Sequence, residues 1–391
     1  MRRLLIALTL GILVSCGNLG AASGQEGGDV GEITTPSFSI RAGSKMMLPL
    51  YYATDRLRVM EKGKVTYSTK RRYAAGIEYG VTYATVPLSK DLENLPKDLW
   101  QMGWRAKLGK GNGIEVSEPS AFSSPRDFFD EIRANMKKSG REDLVVFVHG
   151  YKNSFDSAAA SAADIAYWFK YPCVFYSWPC SEKYSGYTFD ENNVEWSLQH
   201  FRKFIADLEG EVGAEHIYIV AHSMGNRLVN WMLQHRAEAA RCEENGRTFK
   251  RFRKVILSSP DVDSGTFKNT ADLIAKNSIH TYILVSLKDK AIGVGSTHIH
   301  GKGRAGMLGP DGLGLGKAGT EGVDTDWRQP PIIKDLDTIE FTELDRGLFG
   351  HSIPAPMISG LAKYDKPGPN LELHPEQIGD YKWLKLVRTA K

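Results

Sequence analysis

From residue 143 onward two kinds of segment alternate, and this alternation restricts the fold more than any other feature. The runs DLVVFVHG (143–150), CVFYSW (173–178), HIYIVAHS (216–223), KVILSSPD (254–261) and TYILVSLKD (281–289) are short, with near-continuous apolar centres that do not alternate. Between them lie SFDSAAASAADIAYWF (154–169), NVEWSLQHFRKFIADLEGEV (193–212), MGNRLVNWMLQHRAEAARC (224–242) and TFKNTADLIAKN (266–277). In 193–212 the apolar residues Val194, Leu198, Phe201, Phe204, Ile205 and Leu208 recur at a helical period. A strand that does not alternate polar with apolar is buried on both faces. The pattern therefore predicts an α/β protein, a mostly parallel sheet with helices on both sides.

The flanks extend this frame. MLPLYYATDR (47–56) and GIEYGVTYATVPL (76–88) are rich in aromatic and β-branched residues and read as strands added to one sheet edge. Ala291 to about Lys334 is crowded with glycine, a long loop of the kind that is functional or mobile. TIEFTEL (338–344) reads as the last strand, DRGLFGHSIPAP (345–356) as a loop and MISGLAKY (357–364) as a short helix. No internal repeat stands out.

The start, MRRLLIALTLGILVSCG, places two arginines before an apolar run from Leu4 to Val14. That run is too short to span a bilayer and reads as a signal-peptide core. Leu13-Val14-Ser15-Cys16 resembles the lipobox of bacterial lipoproteins. The resemblance implies that Cys16 is lipidated and becomes the first mature residue; a plain secretory signal is the alternative. Each acyl methylene buried adds about 0.8 kcal/mol, so the chain would be anchored to a membrane without spanning it. Gly17, where an aspartate often marks inner-membrane retention, points to the outer membrane. The expected organisation is a signal peptide over 1–15, a glycine-rich tether over 16–40 and one catalytic domain over 41–391. The expected location is the cell envelope, at the outer membrane or in the periplasm. With a net charge of +4 over 391 residues and no basic block, nothing points to nucleic acid. Cys173, Cys180 and Cys242 are odd in number and lack metal-ligand spacing, so no disulfide framework is expected, with a Cys173–Cys180 bridge as the alternative.

Ser223 carries the chemistry. It follows a buried-type strand and precedes a helix, the setting of a nucleophile elbow. Strand and helix nearly touch at such a turn, so residues two places either side must be small; here they are Ala221 and Gly225. A serine nucleophile needs a base, and the base needs an orienting acid, in the chain order Ser, Asp or Glu, His. His351 follows the last expected strand on a loop able to return to Ser223. His298 and His300 form an H-x-H pair with no carboxylate cluster beside it and read as solvated loop residues, so no metal site is expected. His374 reads as a surface residue, and His222 is expected to point away from the site. For the acid, Asp289 and the pair Asp261 and Asp263 follow neighbouring strands that end at one sheet edge, and both placements are open. The oxyanion donors are expected to be the amides of Met224 and of Tyr151, where Gly150 lets the backbone approach closely. His149 is expected to be structural.

Taken in order, VVFVHGY, SWP, AHSMGNR, PDVD, SLKDKA and GHS, with YYATDR and GVTYATVP upstream, resemble a bacterial α/β-hydrolase family of poorly characterised esterase/lipase-like proteins. The resemblance runs from Leu48 to Ile358. It implies an α/β-hydrolase fold with a mostly parallel central sheet of about eight strands and helices on both faces. It implies a triad of Ser223 as nucleophile, His351 as base and Asp289 as acid, and no cofactor. The glycine-rich loop after Asp289 departs from the family pattern.

Three readings follow. The first is a serine hydrolase acting on a small-molecule or lipid acyl ester. The second is an inactive lipid-anchored binding or scaffold protein that keeps the fold. The third is an amidase, peptidase or thioesterase using the same residues. Few residues separate SSPDVD from the next helix, which leaves no room for a large cap there. The polar stretch 180–193 and the glycine-rich loop are the expected rims, favouring an esterase over a lipase with an apolar lid.

Overall fold

Every residue of Leu144–Val148, Cys173–Ser177, Ile217–His222, Lys254–Ser258 and Thr281–Val285 is buried, as strands covered on both faces must be. The computed structural model describes residues 39–41, 45–73, 76–87, 114–242, 250–289, 291–292, 304–307, 333–342, 345, 351, 353–368, 371–378 and 381–388. The signal, the lipobox cysteine Cys16, nearly all of the tether and the pair His298/His300 lie outside the described residues.

The strands that build the sheet are β1 (Lys45–Thr54), β2 (Glu78–Pro87), β3 (Leu144–Val148), β4 (Cys173–Ser177), β5 (Ile217–His222), β6 (Lys254–Ser258), β7 (Thr281–Val285), β8 (Leu336–Glu340), β9 (Leu371–Ile378) and β10 (Tyr381–Arg388). Their order is β9-β10-β8-β7-β6-β5-β3-β4-β1-β2. From β10 to β1 all neighbours are parallel, and β2 and β9 close the two edges antiparallel. The run from β10 to β1 is the expected core of about eight strands. Short segments Ser39–Arg41, Glu115–Val116 and Ser120–Ala121 extend the β1/β2 edge, giving thirteen strands among the described residues. A separate hairpin pairs Arg56–Glu61 with Lys64–Arg71.

Two corrections concern elements. TIEFTEL supplies β8 but is not the last strand, because the β9/β10 hairpin follows the last helix. Pro375 interrupts β9 and obscures it in the sequence; an edge strand tolerates the missing N–H. The stretch 180–193 is also less of a loop than expected, since a helix begins at Tyr187. Its polar residues Asp190 and Asn193 are buried, and the Asp190 carboxylate accepts the Ser181 amide at 2.7 and 2.9 Å.

The helices are α1 (Pro125–Lys138), α2 (Phe155–Phe169), α3 (Tyr187–Val212), α4 (Gly225–Cys242), α5 (Ser264–Lys276) and α6 (Ala355–Tyr364). Successive strand residues point to opposite faces, so Val146 and Val148 join one core and Val145 and Phe147 the other. The first core packs against α1, α3, α4 and α5 through Phe128, Phe201, Leu228 and Phe267, the second against α2 and α6 through Phe155 and Met357. Ser154 caps α2 by accepting the Ser157 amide at 3.1 Å. Cys173 and Cys180 are buried free thiols with no bridge between them. The segments leaving β3, β5, β6 and β7 share one edge of the sheet, where the chemistry-bearing residues gather.

Candidate active site

Ser223 stands immediately after β5 with φ +52, a left-handed conformation that costs a residue with a Cβ about 1–2 kcal/mol. The turn is held on several sides. The Ser223 amide donates to the Ser258 carbonyl at 3.0 Å. The Ser223 carbonyl accepts from the Asn226 amide at 3.0 Å, from the Asn226 side chain at 2.9 Å and from the Asp261 amide at 3.2 Å. A Cβ built on Gly225 would lie 2.4 Å from the His149 carbonyl oxygen, which is why this position must be glycine. Helix α4 opens at Gly225, and its N-terminal amides give the turn a positive end.

The loop after β3 presses against this turn. A Cβ on Gly150 would come within 2.8 Å of the Ser223 Cβ and 3.0 Å of His222 Nδ1. Tyr151 packs edge-on against Tyr187 and donates its hydroxyl to the Lys183 carbonyl at 2.8 Å. His149 is buried, stacked on Trp178 at 5.1 Å, with Nδ1 2.8 Å from the Gly150 oxygen and Nε2 3.3 Å from Arg56. Burial, and then the Arg56 cation, push its pKa down to about 3, so the ring is neutral at ordinary pH. The structural role expected of His149 matches this setting.

Of the alternative acids, Asp289 meets His351. Its Oδ2 lies 2.5 Å from His351 Nδ1, while Oδ1 accepts the Ile292 amide at 3.0 Å. Asp289 is fully buried and the His351 side chain is 17% exposed, a protected pair with one side open. A carboxylate accepts only, so the hydrogen of this contact is donated by Nδ1.

Asp261 is engaged elsewhere. Its Oδ2 accepts the Tyr187 hydroxyl at 2.5 Å and stands 3.3 Å from Arg227, and its Oδ1 stands 3.4 Å from Arg304. Arg227 also reaches Glu191 at 2.7 Å. The segment 304–307 lies on this cluster, its Ala305 amide donating to the Val262 carbonyl at 2.8 Å. Asp263 is the N-cap of α5, accepting the Thr266 amide at 2.8 Å. Asp261 and Asp263 therefore each have partners elsewhere, and of the three aspartates Asp289 is the one that contacts His351.

One expectation is overturned. The His222 ring does not turn away but packs on His351, ring centroids 4.6 Å apart. Strand neighbours face opposite ways only while the strand continues, and here the chain swings left-handed at Ser223. His374 lies exposed on β9, 3.3 Å from Glu372. Among the described residues no group of three or more His, Cys, Asp or Glu could hold a metal ion. An open groove of about 860 Å³ lies between the 56–71 hairpin and α3, lined by Arg71, Tyr73, Phe189 and Trp196 among others, and none of the residues above borders it. The sequence reading missed Arg56, Trp178, Arg227 and Arg304; YATDR and SWP were visible as motifs, but nothing local told what their side chains would touch.

A mostly parallel sheet with helices on both faces and a strained serine turn at its edge defines an α/β-hydrolase. Residues 124–343, more than half of the chain, match the family described as alpha/beta hydrolase of unknown function (DUF900), and the protein belongs to that family. No curated protein matches the chain. Among solved structures, an esterase from Pyrobaculum calidifontis in a monoclinic form matches at 16% identity with a TM-score of 0.23, over 37% of this chain and 57% of that one. A hyperthermophilic esterase structure from the same archaeon matches at 17% identity with a TM-score of 0.23, over 37% and 56%. The chain thus spans little more than half the length of these esterases, and so partial a likeness bears on neither substrate nor activity.

Proposed function

We propose that this protein is a serine hydrolase that cleaves an ester or related acyl bond with Ser223, His351 and Asp289. The observation that carries this reading is the 2.5 Å contact of Asp289 with His351, whose ring packs on the residue preceding Ser223. Ser223 Oγ attacks the acyl carbonyl and its proton passes to His351 Nε2. Asp289 holds the imidazole and stabilises the imidazolium. The amides of Met224 and Tyr151 bind the oxyanion, each such donor being worth about 3 kcal/mol of barrier. The tetrahedral adduct expels the alcohol, which takes the proton from His351. Water then attacks the acyl-enzyme, His351 acting as base, and the acid and free Ser223 are released. These steps call on no cofactor.

The substrate in this reading is a small-molecule or lipid acyl ester, and the enzyme is held to a membrane of the cell envelope through a lipid on Cys16, at the outer membrane or facing the periplasm. A net charge of only +4 over 391 residues gives no reason to expect nucleic acid. A fluorophosphonate probe should label the wild type and not Ser223→Ala, and p-nitrophenyl esters of rising chain length should locate the acyl preference. A wild type that neither reacts with the probe nor turns over any ester would leave the scaffold reading. Palmitate labelling of the wild type and not of Cys16→Ala tests the anchor separately.

A further inference from the structure

Arg56 lies 68 positions before the first residue of the matched family region at 124, yet its guanidinium reaches the loop beside Ser223. It is fully buried and has no carboxylate within ion-pair distance among the described residues. Its hydrogen bonds tie three pieces of chain together. Nε donates to Ser177 Oγ at the end of β4 at 2.9 Å, and Nη2 donates to the Asn153 carbonyl at 2.7 Å. Nη2 also stands 3.3 Å from His149 Nε2.

The last contact dictates a tautomer. An arginine N–H finds only a lone pair at Nε2, so the His149 proton sits on Nδ1, where it donates to the Gly150 carbonyl at 2.8 Å. Asn153 Nδ2 donates to the same carbonyl at 3.0 Å and to the Tyr151 carbonyl at 3.0 Å. Trp178 Nε1 donates to the His149 carbonyl at 2.9 Å. The carbonyls of 149, 150, 151 and 153 are thus all drawn to donors on the protein side of the loop. In a planar trans peptide the C=O and the following N–H point in opposite directions. Fixing the Gly150 carbonyl therefore aims the Tyr151 amide the other way, from a loop whose Gly150 already abuts Ser223.

We propose that Arg56 is a positioning residue for the oxyanion donor: through His149 and Asn153 it sets the orientation of the Gly150–Tyr151 peptide. This rests on the serine-hydrolase reading for its catalytic consequence, but the hydrogen-bond relay itself does not. A strand-edge segment outside the matched family region thereby completes the site. The guanidinium fork is what the role requires, because it bonds in two directions from one rigid plane; a lysine keeps the charge and loses the fork.

Two measurements on the full chain test it. In ¹⁵N-histidine NMR spectra, with His149 assigned by loss of its signals in His149→Gln, the ring should be neutral and protonated on Nδ1 at pH 5. A charged ring or the Nε2–H tautomer overturns the relay whatever the activity. In p-nitrophenyl acetate hydrolysis, Arg56→Lys should lower kcat by about ten- to a hundredfold, part of what losing one oxyanion donor costs, while KM stays within about threefold. Asn153→Ala, which keeps the backbone carbonyl that Arg56 reaches and removes the side-chain donor to the Gly150 carbonyl, should give the same split of kcat from KM and serves if Arg56→Lys does not fold. Wild-type kcat in either folded variant overturns the positioning role. Turnover surviving in Ser223→Ala would instead strike the hydrolase reading and with it the catalytic role, while the His149 tautomer still decides the relay.

Discussion

His351 Nδ1 and Asp289 Oδ2 stand 2.5 Å apart although 62 residues separate them in the chain. The second carboxylate oxygen is fixed by the Ile292 amide, so the pair has one orientation. In the proposed mechanism Asp289 holds the ring tautomer and offsets the charge the ring acquires when it takes a proton.

Asp289→Asn should therefore cut turnover at least a hundredfold, toward the ~10⁴ that such a change reaches when it selects the wrong tautomer, with little change in melting temperature. Asp261→Ala should do the opposite. It removes the buried carboxylate that both Arg304 and Arg227 face, at a cost of about 3–5 kcal/mol in urea unfolding. Asp263→Ala removes a helix cap worth about 1 kcal/mol and should spare turnover. Equal loss of rate in all three variants would contradict the assignment.

The φ of +52 at Ser223 separates strain from chemistry. Ser223→Ala and Ser223→Gly should both lose activity by several orders of magnitude. Only glycine relieves the left-handed conformation, so Ser223→Gly should be more stable than Ser223→Ala by about 1 kcal/mol in chemical denaturation. Equal stabilities would mean the turn relaxes in solution.

Gly225→Ala places a methyl group 2.4 Å from the His149 carbonyl and 2.9 Å from the Val148 carbonyl, both backbone atoms of β3 and its loop. Neither neighbour yields cheaply, so the variant should lose about 1–3 kcal/mol of stability along with most of its turnover. A variant with wild-type melting and kinetics would show that the strand and helix are not in contact there.

His149 sets a pH window. Its folded-state pKa lies near 3 against an ordinary 6.5, so between those values the unfolded chain binds a proton that the native ring refuses. Stability is therefore full above about pH 6.5 and falls as the pH drops toward 3, by up to about 1.4 kcal/mol per pH unit from this group. Urea midpoints measured from pH 7 to pH 4.5 should fall more steeply in the wild type than in His149→Gln. Parallel curves would mean that the ring is protonated in the folded protein.

Local pattern by itself determined the α/β class, the positions of the central strands and most helices, and the setting of Ser223. Each of these depends on neighbours in the chain: continuous apolar runs make strands buried on both faces, helical periodicity makes the covers, and Ala221 and Gly225 permit a tight turn between them. Tertiary structure decided the rest. Asp261 and Asp289 follow adjacent parallel strands that end at the same edge, so no spacing distinguishes them; only the assembled fold sets one against His351 and the other against Arg227 and Arg304. The His222 ring took its direction from the break in strand alternation at Ser223. The β9/β10 hairpin formed despite Pro375 because an edge strand needs hydrogen bonds on one side only. Arg56 acquired its partners because the β1 edge lies beside β4 and β4 beside β3, a proximity that only the assembled sheet creates.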